Sequence, residues 1–378
     1  MHAASFSRSP DVIVVGAGLI GLAASASLAE AGLTVLLLGE PRAGEASLAA
    51  AGLLAPSVEE VHAARAFALA SRDRYPSYLE WILERTGVPV PLNRRGVLEV
   101  ALNDDDVQRL HASRDGAGDT SAHSERETSG AGRSGWLDQQ ALTRLEPSLR
   151  HARGALLHAL DGAVDNVALH GALRRVVADD ARIRVEQTSV TTIDSVNRDV
   201  RTAEGARFSA ASLVIAAGAW TSRLRGLPRS LPIEPVRGQM MAMRVAALER
   251  PVFGAGIYLV PRPSGVTLVG STMEHVGFDA TTTTEGLHML RGAAGRLCPV
   301  VARSDKHAAW AGLRPLTPDG LPIIDRDRDY PWLYYACGHS RNGILMAPLT
   351  ADCVAALVTG SDAGHDLSPF SVTRFAAL

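Results

Sequence analysis

The sequence predicts an α/β protein: a Rossmann-like dinucleotide-binding domain, discontinuous along the chain, interleaved with an α+β domain that carries a mixed antiparallel sheet. Three observations predict it. The β-branched run Asp11–Val15 passes straight into Gly16-Ala17-Gly18-Leu19-Ile20-Gly21 and then into an Ala- and Leu-rich stretch. Short apolar segments between Gly and Pro turns fill the centre of the chain, a pattern of strands. A second apolar strand ending on glycine, and a glycine-bracketed turn leading into an apolar helix, follow at Leu213–Trp220 and Gly338–Leu357. At 378 residues the chain exceeds one compact core, so two domains are expected. Its 38 Lys+Arg against 40 Asp+Glu, a net charge of −2, argue against a protein that coats nucleic acid or an anionic membrane. With 46% apolar and 21% charged residues, wholesale disorder is excluded.

Val12–Ala29 is an uncharged run of 18 residues, long enough to suggest a signal or membrane segment. Gly16, Gly18 and Gly21 inside it point elsewhere. Strand, GxGxxG, helix (Leu22–Ala31) and second strand (Thr34–Leu38) form a dinucleotide-binding unit. The glycines serve the tight turn, the approach to pyrophosphate and the helix–strand packing, and Gly18, Leu19 and Ile20 open a helix N-terminus toward the phosphates. At the end of the second strand Glu40 is the carboxylate in reach of an adenosine ribose; backbone groups are the alternative. The stretch Arg42–Leu54 is rich in small residues, among them Ala46, Ser47, Ala51 and Gly52, which lets backbone approach a large flat ligand.

Val58–Arg85 reads as a helix, with Phe67, Leu69, Tyr75, Tyr78, Leu79 and Ile82 among polar residues. Val97–Leu102 alternates as a strand. Ser113–Gly135 lacks large apolar residues and is expected to be a flexible surface insertion. Trp136–Pro147 reads as helical. Gly162-Ala163-Val164-Asp165 precedes a helix over Leu169–Val177, and Arg182–Val190 and Arg207–Ala217 read as strands. After Pro235-Val236-Arg237-Gly238-Gln239, the segments Met240–Val245, Gly256–Pro261 and Val266–Gly270 read as antiparallel strands that join Val97–Leu102 in a second sheet. The expected division is a cofactor domain over 1–85, 150–225 and 312–378 and a substrate domain over 86–149 and 226–311.

Candidate binding residues sit in three motifs: Tyr258 in Ile257-Tyr258-Leu259-Val260-Pro261-Arg262, Arg314 in Gly312-Leu313-Arg314-Pro315, and Arg341 in Gly338-His339-Ser340-Arg341-Asn342-Gly343-Ile344. A guanidinium offers a planar two-donor fork that fits a carboxylate, and Arg314 lies among apolar and turn residues where an unpaired charge is costly. Gly338 and Gly343 bracket a turn into the helix Ile344–Leu357, whose N-terminus suits negative charge. Cys298, Cys337 and Cys353 have no CxxC or Cys/His ligand spacing. Neither a disulfide framework nor a metal site is expected, and the reading is a reduced, cytoplasmic protein.

The N-terminal cradle together with the Ala46-Ser47-x-x-Ala50-Ala51-Gly52-Leu53-Leu54 segment resembles the FAD-dependent D-amino-acid oxidase superfamily. Within it the chain is most similar to the glycine-oxidase branch of the ThiO type, and the resemblance runs from Asp11 to about Leu357. It implies FAD, held through Gly16, Gly18, Leu19, Ile20, Gly21, Glu40, Ala46, Ser47, Ala51, Gly52, Leu53, Val190, Gly218, Gly338, His339, Ser340, Arg341, Asn342, Gly343 and Ile344. It implies that Arg314 clamps an amino acid carboxylate with Tyr258 adding a donor, that Arg341 lies over the pocket, and that Leu53 sits over the flavin. No side chain is needed as acid or base, because the Cα hydride goes to flavin N5; His339 is read as a cofactor-side contact rather than a base. Relatives that tether flavin use a Cys where Gly312 stands, so the FAD is expected to be noncovalent. Gly256 replaces a His of the family pattern and is expected to widen the pocket or alter preference.

The implied activity is oxidation of glycine and small D-amino acids by O2 to the imine or 2-oxo acid, ammonia and hydrogen peroxide. The implied setting is thiamine biosynthesis, with hand-off to a thiazole synthase. A D-amino acid dehydrogenase using another electron acceptor, and a noncatalytic binding protein on the same scaffold, are the alternatives. Neither a nucleic-acid nor a membrane partner is expected, and a homo-oligomer is left open.

Overall fold

The computed structural model describes residues 9–58, 62–116 and 135–375. The first layer is a six-stranded sheet ordered Ile323–Arg326, Leu333–Cys337, Ser212–Ile215, Val12–Val15, Val35–Leu38 and Ile183–Glu186. Its strands are parallel except for the antiparallel edge strand Ile323–Arg326. Parallel strands buried on both faces read as continuous apolar runs, which is why Val12–Val15 and Val35–Leu38 are apolar throughout. On one face lie the helices Leu19–Glu30, Asn166–Asp179 and Gly343–Thr359, joined by Arg65–Thr86, in one apolar cluster. The other face is covered by Val190, Ile193, Val200 and their neighbours from a three-stranded antiparallel sheet. The long apolar run from Val12 is thus a strand, a turn and a helix buried on most sides. No helix among the described residues is long and apolar enough to cross a membrane.

The second layer is an eight-stranded sheet in the order Lys306–Leu316, Glu234–Met243, Thr267–Gly270, Ile257–Pro261, Val252–Gly254, Val97–Ala101, Gly154–His158 and Gly135–Asp138. Neighbours are antiparallel except Val252–Gly254 beside Val97–Ala101. Alternate residues of Glu234–Met243 face opposite ways. Met241 and Met243 pack on the helix Thr284–Leu297, whereas Met240 and Ala242 face Ala51, Ala163 and Tyr258.

Several expectations are corrected. Trp136 lies in a strand; the helix starts at Gln139, capped by the Asp138 carboxylate accepting the Ala141 N–H at 2.7 Å. The span Arg182–Val190 is divided between two sheets, as Ile183–Glu186 and Val190–Asp194, and Arg207–Ala217 is divided into Arg207–Ser209 and Ser212–Ile215. The long helix starts at Arg65, after a short turn at His62–Ala64, rather than at Val58. Of the expected insertion, Ser113–Gly116 continues the helix Asp104–Gly116 and Gly135 opens a strand; residues 117–134 lie outside the described residues. Gly154–His158 pairs within the second sheet, beyond the boundary expected at residue 150.

Candidate active site

Between the two sheets lies a cavity of about 800 Å³. One end is built by the first turn. Gly16 has φ +112°, and a Cβ there would sit 2.4 Å from the Ala216 carbonyl oxygen, so only glycine allows the loop to lie this close to the neighbouring strand. Gly18 caps the helix Leu19–Glu30 with no side-chain bond of its own, and Gly18, Leu19 and Ile20 line the cavity. The Leu19 N–H donates to Ser47 Oγ at 2.9 Å, which places that hydroxyl at the helix mouth. Gly21 does not line the cavity: a Cβ on it would lie 1.8 Å from the Gly16 carbonyl oxygen, so it packs helix against loop, correcting its expected place among the ligand contacts. Glu40, Ala46, Ala51, Gly52, Leu53, Val190 and Gly218 all line the cavity.

The opposite wall is the turn Gly338-His339-Ser340-Arg341-Asn342 and the helix Gly343–Thr359, again without a side-chain cap. Gly338, Ser340, Asn342, Gly343 and Ile344 line the cavity here. Two helix N-termini thus line one cavity, one beside a glycine cradle fit for pyrophosphate. This donor set fits FAD, whose pyrophosphate is anionic and whose flavin ring gains negative charge on reduction. His339 is fully buried, with Nε2 3.1 Å from Thr350 Oγ1, and burial lowers its pKa from 6.5 to about 3. Arg341 lines the rim with an exposed side chain.

At the other end Arg314, from the strand Lys306–Leu316, enters the cavity half-buried. Its Nη1 donates to the Thr272 carbonyl at 3.1 Å and its Nη2 to Ser271 Oγ at 2.5 Å. Both acceptors are neutral, and among the described residues no carboxylate pairs with it. Tyr258 is buried, and its hydroxyl donates to the Met240 sulfur at 3.4 Å, a weak acceptor. Gly256 lies away from the cavity. It forms the hairpin turn after Gly254 with φ +78°, and a Cβ there would meet nothing within 4 Å, so its expected effect on pocket width is not what the fold shows.

Several lining residues carry no sequence signal beyond their type. Phe278 lies 6.0 Å from the Trp220 ring and 3.6 Å from the Arg223 guanidinium carbon, and Arg42 sits 5.3 Å from the Trp220 ring. Met240, Gly238 and Glu45 also face the cavity. Arg42 and Glu45 fall within the small-residue stretch Arg42–Leu54, and Gly238 is signalled by the isolated glycine within the Val236-Arg237-Gly238-Gln239 run, a mark of close approach; Phe278 has no such signal.

Comparison with known proteins follows the same outline. The family model described as FAD dependent oxidoreductase (DAO) matches residues 11–357. A glycine oxidase of Geobacillus kaustophilus is 33% identical over 96% of this chain and 97% of its own length. The crystal structure of glycine oxidase from that organism superposes with a TM-score of 0.87, covering 97% of this chain and 99% of the other. The bifunctional protein ThiO/ThiG of Synechocystis is 35% identical over 97% of this chain, which spans 54% of that protein. Cradle, cavity and full-length match together place the chain in the DAO family of FAD-dependent oxidoreductases, as an FAD-dependent amine oxidoreductase.

Proposed function

We propose that this chain oxidises the amine of glycine and small D-amino acids, with O2 taking the electrons. The observation that carries this reading is the Arg314 guanidinium, held in the cavity by two neutral oxygens and lacking an acidic partner among the described residues. A guanidinium so placed needs an anion, and a carboxylate matches its fork. Tyr258 turns its hydroxyl from Met240 to the same carboxylate. Leu53 covers the ring side of the cavity, and Arg341 stands at the rim. The remaining cavity residues named above hold FAD, without a covalent tether, since Gly312 occupies the tethering place. FAD supplies the two-electron acceptor. The chain orients Cα and excludes bulk water. His339 stays neutral and buried, so it neither donates nor takes a proton. The substrate loses a hydride from Cα and a proton from nitrogen, giving the imine. O2 receives both electrons and two protons and leaves as hydrogen peroxide. Water then releases ammonia and the 2-oxo acid. The similarity to a protein named ThiO/ThiG supports hand-off of the imine to a thiazole synthase in thiamine biosynthesis.

The test is peroxide formation from glycine, D-alanine, L-alanine and ethylamine, with the parent and Arg314→Lys. Glycine and D-alanine react, whereas ethylamine leaves a guanidinium unpaired and L-alanine presents its methyl group where the hydrogen must face. Arg314→Lys keeps the charge but loses the fork, lowering kcat/KM for glycine about 10–100-fold at unchanged FAD content. Equal turnover of ethylamine or L-alanine, or full activity in the Lys variant, refutes the reading.

A further inference from the structure

The segment Arg237-Gly238-Gln239 runs through the middle of the strand Glu234–Met243, beside the strand that carries Arg314. In register, Val236 faces Arg314 and Gly238 faces Gly312. Directly opposed residues project to the same side of an antiparallel pair, so Gly238 lies on the cavity face under the Arg314 side chain. A Cβ on Gly238 would lie 2.2 Å from Arg314 Nη2 and 2.4 Å from both Cζ and Nη1. The guanidinium rests flat where any side chain would stand.

Arg237 and Gln239 project to the other face and hold the segment 271–283, which continues beside the strand through a bridge between Arg237 and Glu274. Gln239 is fully buried; its Nε2 donates to Glu274 Oε1 at 2.8 Å and to Thr283 Oγ1 at 3.1 Å, and its Oε1 accepts the Thr283 N–H at 2.7 Å. Its backbone N–H donates to Thr272 Oγ1 at 2.8 Å. Arg237 donates to Glu274 and, at 2.6 Å, to Asp279 Oδ2. This anchored segment supplies both acceptors of Arg314, the Ser271 hydroxyl and the Thr272 carbonyl.

We infer that Arg237, Gly238 and Gln239 act as one positioning device that sets the plane and direction of the Arg314 guanidinium, and so the affinity for the substrate carboxylate. The inference rests on the reading of Arg314 as the clamp. Gly238 provides the space; Arg237 and Gln239 fix the segment whose two oxygens aim the fork.

The test is a double-mutant cycle on the FAD-loaded enzyme. Binding of glycolate, a carboxylate without an amine, is read from the flavin absorbance shift, alongside KM and kcat for glycine. Gly238→Ala is expected to weaken glycolate about 10–100-fold, the effect of losing one charge-assisted hydrogen bond, and to raise KM similarly, with kcat within about threefold. In an Arg314→Met background the same substitution is expected to add less than about twofold. Ser271→Ala follows the same pattern, and Ser271→Thr, which keeps the hydroxyl, restores binding. If Gly238→Ala does not fold, the Ser271→Ala cycle carries the test alone. Parent-like glycolate binding in the variants, or equal weakening in both backgrounds, overturns the inference. Arg314→Met binding glycolate like the parent would instead overturn the clamp reading, and this inference with it.

Discussion

His339 shows at the scale of one residue what burial does to a titratable group. Its imidazole is 3% exposed, with Nε2 3.1 Å from Thr350 Oγ1, and burial drives its pKa down to about 3. In the unfolded chain an imidazole titrates near 6.5. Between those values the unfolded state binds more protons than the folded state, so His339 makes stability rise with pH across that window and fall as pH drops below about 6.5. Urea unfolding at pH 7 and pH 4.5 measures this. The parent is expected to lose stability at pH 4.5, and His339→Gln, which cannot charge, to lose less. An identical loss in both proteins shows that His339 does not titrate as its burial dictates. The residue also illustrates what a sequence shows and what it hides. A His between Gly338 and Gly343 invites a catalytic reading, and nothing in its neighbours announces that the ring is buried against Thr350.

At the scale of elements, the strand Ile257–Pro261 is tied to the cavity wall by the residue just after it. Arg262 Nη1 donates to the Val164 carbonyl at 2.8 Å, and Nη2 to the Ala51 carbonyl at 3.2 Å and to Asn166 Oδ1 at 2.6 Å. Burial lowers its pKa, opposed by Asp165 nearby. One guanidinium thus joins the Tyr258 strand, the strand Gly162–Val164 and the segment that carries Leu53. Arg262→Met would leave these oxygens unsatisfied, at a cost of about 1–3 kcal/mol. The expected result is a lower urea midpoint together with a lower kcat/KM for glycine. Unchanged stability would show that water replaces the guanidinium freely. Elements of this kind were legible in proportion to their apolar periodicity. The strands Val12–Val15 and Val35–Leu38 and the helices Leu19–Glu30 and Gly343–Thr359 are apolar throughout or nearly so and were readable to within a few residues. Trp136 was not, because a four-residue edge strand beside a helix leaves no period to count. Phe278 was not, because an aromatic on an irregular segment gains its place only from Trp220 and Arg223, which lie more than fifty residues away.

At the scale of the whole molecule, the cavity is lined from both sheets: Gly16, Gly18 and Gly338 come from the first layer, and Gly238, Tyr258 and Arg314 from the second. A ligand filling it touches both layers and binds the folded chain alone, so it must stabilise the fold by mass action. Noncovalent FAD can be stripped and returned, because Gly312 offers no sulfur for a tether and Cys337, the cavity-lining cysteine, has its thiol pushed up to about 12 by burial. At a free FAD concentration of 100 times Kd the gain is about 2.7 kcal/mol. Spread over the unfolding entropy of a 378-residue chain, that is a rise of roughly 3–4 °C in Tm. Thermal unfolding of the stripped protein across an FAD series measures it. Tm should climb with the logarithm of FAD concentration in the parent. In Gly16→Val, whose side chain would drive the loop off the Ala216 carbonyl, Tm should stay flat. A parent Tm that ignores FAD, or flavin that remains with the acid-precipitated protein, would show that the cofactor is not held reversibly between the two sheets.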